Sequence, residues 1–336
     1  MSNSNRLLLS IAGLTATGKT SLALKLAEEV IDSKKYKGVI LISADSKQVY
    51  QGLELLTGAD IPVSFTRVKH QPYDYFQHKT LPIQIHGVSI INPDDEWSVA
   101  HFRDLAIQKI NKAWDKNQLP IVVGGTGLYH QQLLSADKSI YVKPNSIIRE
   151  KAEELSLEEL QDWLREIAPA KISQINESDI NNPRRLIRAI EIAQAQKKRA
   201  ASRSQLKLDH PYLYKMIAIN ADLEYLDDQI RQRVEKRIES GAIQEVEKVV
   251  KKFEDQEKTL PSFTAAGFSL IQSYLQEKIT IKQLENEWIK EELSYAKRQL
   301  TWFKKYKPDC WLTVDSKNNI SELIDDPKTL SLAFTF

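Results

Sequence analysis

Apolar residues in this chain fall into two kinds of run. Short continuous runs read as strands buried on both faces: Arg6 to Ala12, 38–46 (GVILISADS), 83–93 (IQIHGVSIINP, interrupted by Gly87) and 119–129 (LPIVVGGTGLY), which ends in a glycine turn. Between them the apolar positions step by three or four. Leu22, Leu26 and Val30 mark a helix from Lys19 to Ile31, and a second helix is predicted from Asp94 to Trp114 with Asp94 or Asp95 as its cap. Strands alternating with helices predict a parallel sheet covered on both faces, with ligands at the carboxyl ends of the strands.

The pattern changes after Leu134. From there to Leu206 the chain is polar, helical in period and free of glycine. A strand returns at 213–220 (LYKMIAIN), followed by two helices separated by Gly241 and a long helix from Thr280 to Tyr306. In that helix Leu284, Trp288, Ile289, Leu293, Ala296, Leu300 and Phe303 form the buried stripe, and Lys297, Arg298, Lys304 and Lys305 fall off it. The segments are therefore a core at 1–134, an insertion at 135–206, a core continuation at 207–316 and a tail at 317–336.

Composition narrows this little. With 42% hydrophobic and 27% charged residues among 336, the chain is an ordinary globular one, and its net charge of +2 gives no polyanion signal on average. The single cysteine, Cys310, excludes an internal disulfide and a cysteine-rich zinc module, which suits a reducing compartment. The first apolar run is too short for a secretory signal, and no run reaches eighteen residues, so a cytoplasmic location without membrane contact is expected.

The first strand runs into GLTATGKT (13–20), the spacing G-x-x-x-x-G-K-T of a phosphate-binding loop between strand and helix. Backbone N–H groups of Gly13, Thr15, Ala16, Thr17 and Gly18 would curl around phosphates, with the helix dipole behind them. Lys19 would neutralise a phosphate, and Thr20 would offer its hydroxyl to Mg²⁺. The usual acidic strand of nucleotide hydrolases is missing, because the fourth strand ends in GGTG. Asp45, at the end of the second strand, is the acid in its place. On residues alone, a phosphotransferase and a diphosphate-releasing transferase both stay open.

The segments GLTATGKT, SADSKQVYQGLELLTG, INPDDEWSVAHFR, PIVVGGTGLY, NNPRRLIRAIEI, IRQRVEKRIESGAIQEV and YAKRQLTWFKK occur in the order found in the tRNA dimethylallyltransferase family, also called tRNA isopentenyltransferases. The resemblance runs from Leu7 to Trp311. It implies a P-loop α/β core with an inserted all-helical tRNA-binding subdomain. It also implies a loop that holds dimethylallyl diphosphate and a transfer to N6 of adenosine 37 beside the anticodon. Its catalytic residues map to Asp45 as proton acceptor, Arg233 and Lys19 on the diphosphate, and Thr126 in the channel. Its RNA contacts map to Asp45, Ser46, Lys47, Gln48 and Thr126 near the adenine. Lys297, Arg298 and Gln299 lie in the segment that in the family touches the anticodon loop, and Arg184, Arg185 and Arg188, a local basic cluster of the insertion, are expected to contact RNA phosphates. A cluster at 197–203 (KKRAASR) adds basic charge. Mg²⁺ is the implied cofactor and a monomer the expected state. The chain departs from the family at Leu14, where proline is usual, at Gln229, where many members have arginine, and across 60–84. The alternatives are an adenylate isopentenyltransferase acting on free nucleotide and a P-loop kinase.

Overall fold

The structure is a computed structural model describing residues 6–135, 137–197, 206–209, 211–254, 260–317, 320 and 323. The chain divides into two compact units, one formed by Met1–Leu134 with Leu206–Phe336 and the other by Ser135–Gln205.

The first unit is built on an eight-stranded sheet. Its strands are β1 (Arg6–Gly13), β2 (Val39–Ser43), β3 (Phe65–Val68), β4 (Tyr75–His78), β5 (Ile83–His86), β6 (Leu119–Val123), β7 (Tyr212–Ala221) and β8 (Cys310–Val314), in the order β3-β4-β5-β2-β6-β1-β7-β8. Six strands run parallel, while the pairs β3–β4 and β4–β5 are antiparallel, so a hairpin finishes one edge. Strands β1, β2 and β6 are central and buried on both faces, which is why they read as unbroken apolar runs.

Alternate residues of these strands feed two cores, as the period of two requires. Leu7, Leu9, Ile11 and Leu41 face one core, and Leu8, Ile40 and Ile42 face the other. The helices of this unit are α1 (Lys19–Asp32), α2 (Glu54–Thr57), α3 (Val99–Asp115) and α4 (Gly127–Leu134). The second unit holds α5 (Ser146–Glu153), α6 (Leu157–Ile167), α7 (Pro169–Ile172), α8 (Glu177–Ile180) and α9 (Pro183–Lys197). The chain then returns to the first unit with α10 (Leu223–Ser240), α11 (Ala242–Lys252), α12 (Phe268–Leu275) and α13 (Ile281–Tyr306). Helices α1 and α10 to α13 cover the first core, and α3 and α4 the second.

Helix α13 starts in the first core with Leu284 and Trp288. It ends with Phe303 packed on Ala12, Met216 and Ala218. Between these points Gln299 lies against Gly125, just beyond the carboxyl end of β6. The long helix therefore passes the strand ends where a ligand site is expected.

Several boundaries differ from the sequence reading. Helix α3 begins at Val99, capped by Ser98, whose hydroxyl accepts from the His101 N–H at 3.4 Å while His101 Nδ1 accepts from the Ser98 N–H. Asp95 instead accepts from the Asn92 N–H at 2.8 Å in the turn before it, so the reciprocal cap three residues later, at Ser98, sets the start. The third strand stops at His86, because Gly87 and Ser89 take positive φ. Ile91 then makes only an isolated bridge to Tyr50. Strands β3, β4 and β8 have no counterpart in the sequence reading.

The second unit packs Ile148, Leu160, Leu164, Leu186 and Ile190 into its own small core. Glu191 of α9 is buried there, accepting from the Arg149 and Arg188 guanidiniums and from the Asn145 N–H. The basic stretch 198–203 and nearly all of the tail after 317 lie outside the described residues. No helix among the described residues is long and apolar enough to cross a membrane.

Candidate active site

Strand β1 delivers the chain to the phosphate loop, and its last residue, Gly13, is paired with Ile219 of β7. Gly13 lies outside the two cavities of the site, and its part is in the turn. The Leu14 N–H donates to Ile219 O at 3.1 Å. The Thr17 hydroxyl donates to Leu14 O at 2.8 Å, and Lys19 Nζ donates to the same carbonyl. The buried Thr17 side chain is thus used within the loop. Ala16 takes a left-handed φ of 59°, uncommon for a residue with a Cβ, which points to a backbone held for function. Gly18 caps α1 at φ 80° and offers no side-chain acceptor, so the first N–H groups of the helix remain for an anion.

The loop forms the floor of a cavity of about 630 Å³ lined by Thr15, Ala16, Gly18, Lys19 and Thr20. Asp45, Gln48, Asp60, Gln229, Arg233 and Lys236 also face it. Burial and the neighbouring Arg233 push the Lys19 ammonium down to about 7, against the pull of Asp45 and Glu292. An arriving dianion reverses that balance. Thr20 is exposed on this cavity, and among the described residues no cluster of three acidic, histidine or cysteine side chains could hold a metal alone. A threonine hydroxyl beside carboxylates suits Mg²⁺, which takes one or two protein oxygens and fills its shell with phosphate and water.

A second cavity of about 560 Å³ lies on the other side of the same residues. Its walls come from Ser46 and Lys47, the turn 261–266, and α13 through Glu287, Lys290, Ser294, Tyr295 and Arg298. The two cavities share Thr15, Asp45 and Arg233. Asp45 Oδ1 accepts the N–H groups of Lys47 at 2.8 Å and Gln48 at 3.3 Å, which fixes the carboxylate in a turn. Its other oxygen makes no bond within the chain among the described residues and is available for a proton.

Arg233 reaches this junction from α10 and donates to the Thr15 hydroxyl. One turn later Arg237 is buried and pairs with Glu292 at 2.8 Å, its guanidinium 5.8 Å from the Trp288 ring. Burial and Arg233 push Arg237 down to about 10. Burial alone would raise the Glu292 carboxyl, but Arg237 and Arg233 hold it below the usual carboxylate range. The other Glu292 oxygen accepts from the Thr15 hydroxyl at 3.5 Å. Gly58, at φ 64°, lets the chain pass directly against both arginine side chains.

The expected RNA-facing residues separate. Ser46, Lys47 and Arg298 line the second cavity, and Lys297 is exposed on the same helix. Lys47 Nζ is also bonded to Pro261 O at 3.2 Å and to the Thr264 hydroxyl, so it ties the Asp45 turn to the 261–264 turn. Gln48 faces the loop cavity instead, accepting from the Ser43 hydroxyl and donating to Gly58 O. The Thr126 hydroxyl is buried with no hydrogen-bond partner among the described residues. Gln299 is buried at the wall of the loop cavity; it accepts the Thr15 N–H at 2.7 Å and donates to Gly125 O at 3.0 Å, so it holds the loop. In the helical unit Arg184 and Arg185 are exposed, Arg185 pairing with Asp179. Arg188 is half-buried, donates to Glu191 and to the Ser139 and Val142 carbonyls, and braces its own unit.

Sequence reasoning missed Glu292 and Arg237. The signal was there: Glu292 lies four residues after Trp288 and four before Ala296, and Arg237 three after Val234, so both charges sit on buried stripes.

Against this geometry stand the comparisons with known proteins. The sequence model described as IPP transferase matches residues 77–306. The tRNA dimethylallyltransferase of Acetivibrio thermocellus is 32% identical over 326 residues, covering 95% of this chain and 96% of its own. The chain belongs to the IPP transferase family. A second relative, the tRNA dimethylallyltransferase of Clostridioides difficile, is 30% identical over 94% of each chain. Among solved structures, the tRNA isopentenylpyrophosphate transferase of Bacillus halodurans matches with a TM-score of 0.61 at 28% identity, over 98% of both chains. A eukaryotic dimethylallyltransferase acting on tRNA matches with a TM-score of 0.72 at 19% identity, covering 78% of that chain, and shows the same fold. The family match starts at residue 77, beyond the phosphate loop, whereas the relatives align along nearly the whole chain. The family is one of prenyl-transferring enzymes that modify tRNA.

Proposed function

We propose that this chain transfers the dimethylallyl group of dimethylallyl diphosphate to N6 of adenosine 37 in tRNA and releases diphosphate. The observation that carries the reading is the pair of cavities meeting at Thr15, Asp45 and Arg233. One is floored by a phosphate loop, and the other is lined by side chains of α13 with Arg298 at its wall.

The chemistry needs this arrangement. The C1–O bond of the allylic diphosphate breaks as the N6–C1 bond forms, so negative charge grows on the leaving group. Loop N–H groups, Lys19 and Arg233 stand where that charge appears, which is the largest ordinary source of rate enhancement. The N6 amine is a weak nucleophile and loses a proton as the bond forms. Asp45, held by two N–H groups with one oxygen open, accepts it. Thr126 offers its buried hydroxyl beside the Asp45 strand, its own N–H donating to Ala44 O at 3.1 Å. Thr20 would hold Mg²⁺, which supplies further charge neutralisation to the diphosphate when bound. Adenine 37 must leave its stack to reach Asp45, at a cost of a few kcal/mol. Phosphate contacts from Lys297, Arg298, Arg184 and Arg185 offset that cost.

The test is mass-tracked transfer from dimethylallyl diphosphate to unmodified tRNA, in parallel with AMP. Modification of adenosine 37 in tRNA with AMP left unchanged is expected. Modification of AMP alone would overturn the reading in favour of a free-nucleotide enzyme, and transfer to neither would overturn it outright.

A further inference from the structure

Two helices converge on one residue of the loop, Thr15: Arg233 of α10 and Glu292 and Gln299 of α13 bond to it, and Arg237 of α10 bonds to Glu292 behind it. Helix α10 places Arg233 and Arg237 one turn apart, and α13 places Glu292 and Gln299 two turns apart. Gln299 accepts the Thr15 N–H at 2.7 Å, and Glu292 accepts the Thr15 hydroxyl at 3.5 Å. The same hydroxyl oxygen accepts from Arg233. The other Glu292 oxygen is bonded to Arg237 at 2.8 Å. The result is a continuous relay, Arg237 to Glu292 to Thr15 to Arg233, ending on the guanidinium that faces both cavities.

We propose that Glu292 is a positioning residue that orients Arg233 through Thr15 and is itself anchored by Arg237. This rests on the prenyl-transfer reading above, since it gives Arg233 the diphosphate to act upon. Without the relay, an arginine on a helix facing two open cavities has many rotamers of similar energy. The threonine hydroxyl selects one of them only if its own direction is fixed. A threonine hydroxyl has one proton and two lone pairs, so donating to Glu292 leaves a lone pair aimed at Arg233. Glu292 is among the few buried charges of this unit, and a carboxylate there is tolerated because Arg237 neutralises it. A pair serving packing alone needs no bond to a ligand loop. Here the second carboxylate oxygen is spent on that loop.

A residue acting through Arg233 must lose its effect when Arg233 is gone. The experiment is a kinetic cycle with Glu292→Gln, Arg233→Ala and the double variant. It reads kcat and KM on whichever acceptor the parent enzyme prenylates, with dimethylallyl diphosphate affinity by calorimetry. Glu292→Gln is expected to lower kcat by about tenfold or more, leaving KM for the acceptor within about twofold, as misorientation of a reacting contact does. In the Arg233→Ala background the further loss is expected to stay under about twofold. Additive losses, or a Glu292→Gln enzyme with parental kcat, would overturn the proposal. If Glu292→Gln fails to fold, Glu292→Gln with Arg237→Met removes the unpaired charge and carries the same cycle. If the parent prenylates no acceptor, the functional reading fails, while the cycle is still read from diphosphate affinity: additive losses there overturn the relay and coupled losses uphold it.

Discussion

The loop cavity is floored by backbone and by side chains bonded to backbone, whereas the cavity along α13 adds exposed side chains of that helix, Glu287, Lys290, Ser294 and Arg298, to its wall. Thr15, Thr17, Lys19 and Gln48 are all bonded to the chain around them. On the α13 side, Glu287 and Lys290 pair with each other at 2.6 Å on open helix surface, and Arg298 is exposed. A small dianion in a developing transition state needs charges already in place, because reorganising them during reaction would cost rate. A long polyanion can be met by flexible cations, because its many phosphates each add a modest contribution. Substitutions on the loop side should therefore act on turnover, and those on the α13 side on affinity.

The largest effect is expected at the junction. Asp45→Asn keeps both bonds from Lys47 and Gln48 but removes the proton acceptor, so kcat should fall by about 10²-fold or more with tRNA affinity nearly unchanged. Steady-state turnover beside filter-binding affinity checks this, and parental turnover would remove Asp45 as the base.

Acid should weaken the scaffold behind the loop side. His130 is buried, accepts the Ser10 hydroxyl at 2.6 Å and donates to Gly124 O at 3.1 Å at the edge of the loop cavity. Burial holds its pKa at about 4 and that of the buried His86 at about 3. An unfolded histidine takes its proton near 6.5, so the folded state is stabilised above that value and loses stability as pH falls through the window down to the folded pKa. Between pH 6.5 and 5 each histidine should cost about 2 kcal/mol. Urea unfolding across that range should show a smaller loss for His130→Asn, with the His86 share remaining.

A methyl group at Gly58 tests whether the arginine cluster is as tightly held as its bonds imply. Gly58→Ala would push against both Arg233 and Arg237 and places a Cβ at positive φ, at about 1 kcal/mol for the backbone alone. Turnover should drop by about tenfold with tRNA affinity within twofold. Equal losses in both would mean that the cluster serves the two cavities alike.

Much of this was legible in the sequence wherever one physical requirement dictates residue type. Doubly buried strands demand unbroken apolar runs, and so β1, β2 and β6 could be read directly. The loop demands glycines and a lysine at fixed spacing. The hairpin β3–β4 was not legible, because FTRV, at the sheet edge, and the half-buried YFQH beside it are strands of four residues with no apolar run. Charge on a buried stripe was also passed over. Glu292 and Arg237 satisfy each other across two helices distant in sequence, and nothing local reveals the partner. Gln299 was read only from the basic segment around it, while its place on the inward stripe, which puts it against the loop, was not used.

The central claim is that one ligand occupies each cavity. The direct measurement is the affinity of Lys19→Ala and Arg298→Ala enzymes for dimethylallyl diphosphate and for tRNA, the latter at several salt concentrations. Each lost phosphate contact should flatten the slope of log K against log salt by roughly 0.7 to 0.9. Arg298→Ala should flatten the tRNA slope by about that much and leave diphosphate affinity unchanged, while Lys19→Ala should weaken the diphosphate and leave the tRNA slope alone. If Arg298→Ala changed only diphosphate binding, or Lys19→Ala only the tRNA slope, the assignment of the two cavities would be contradicted.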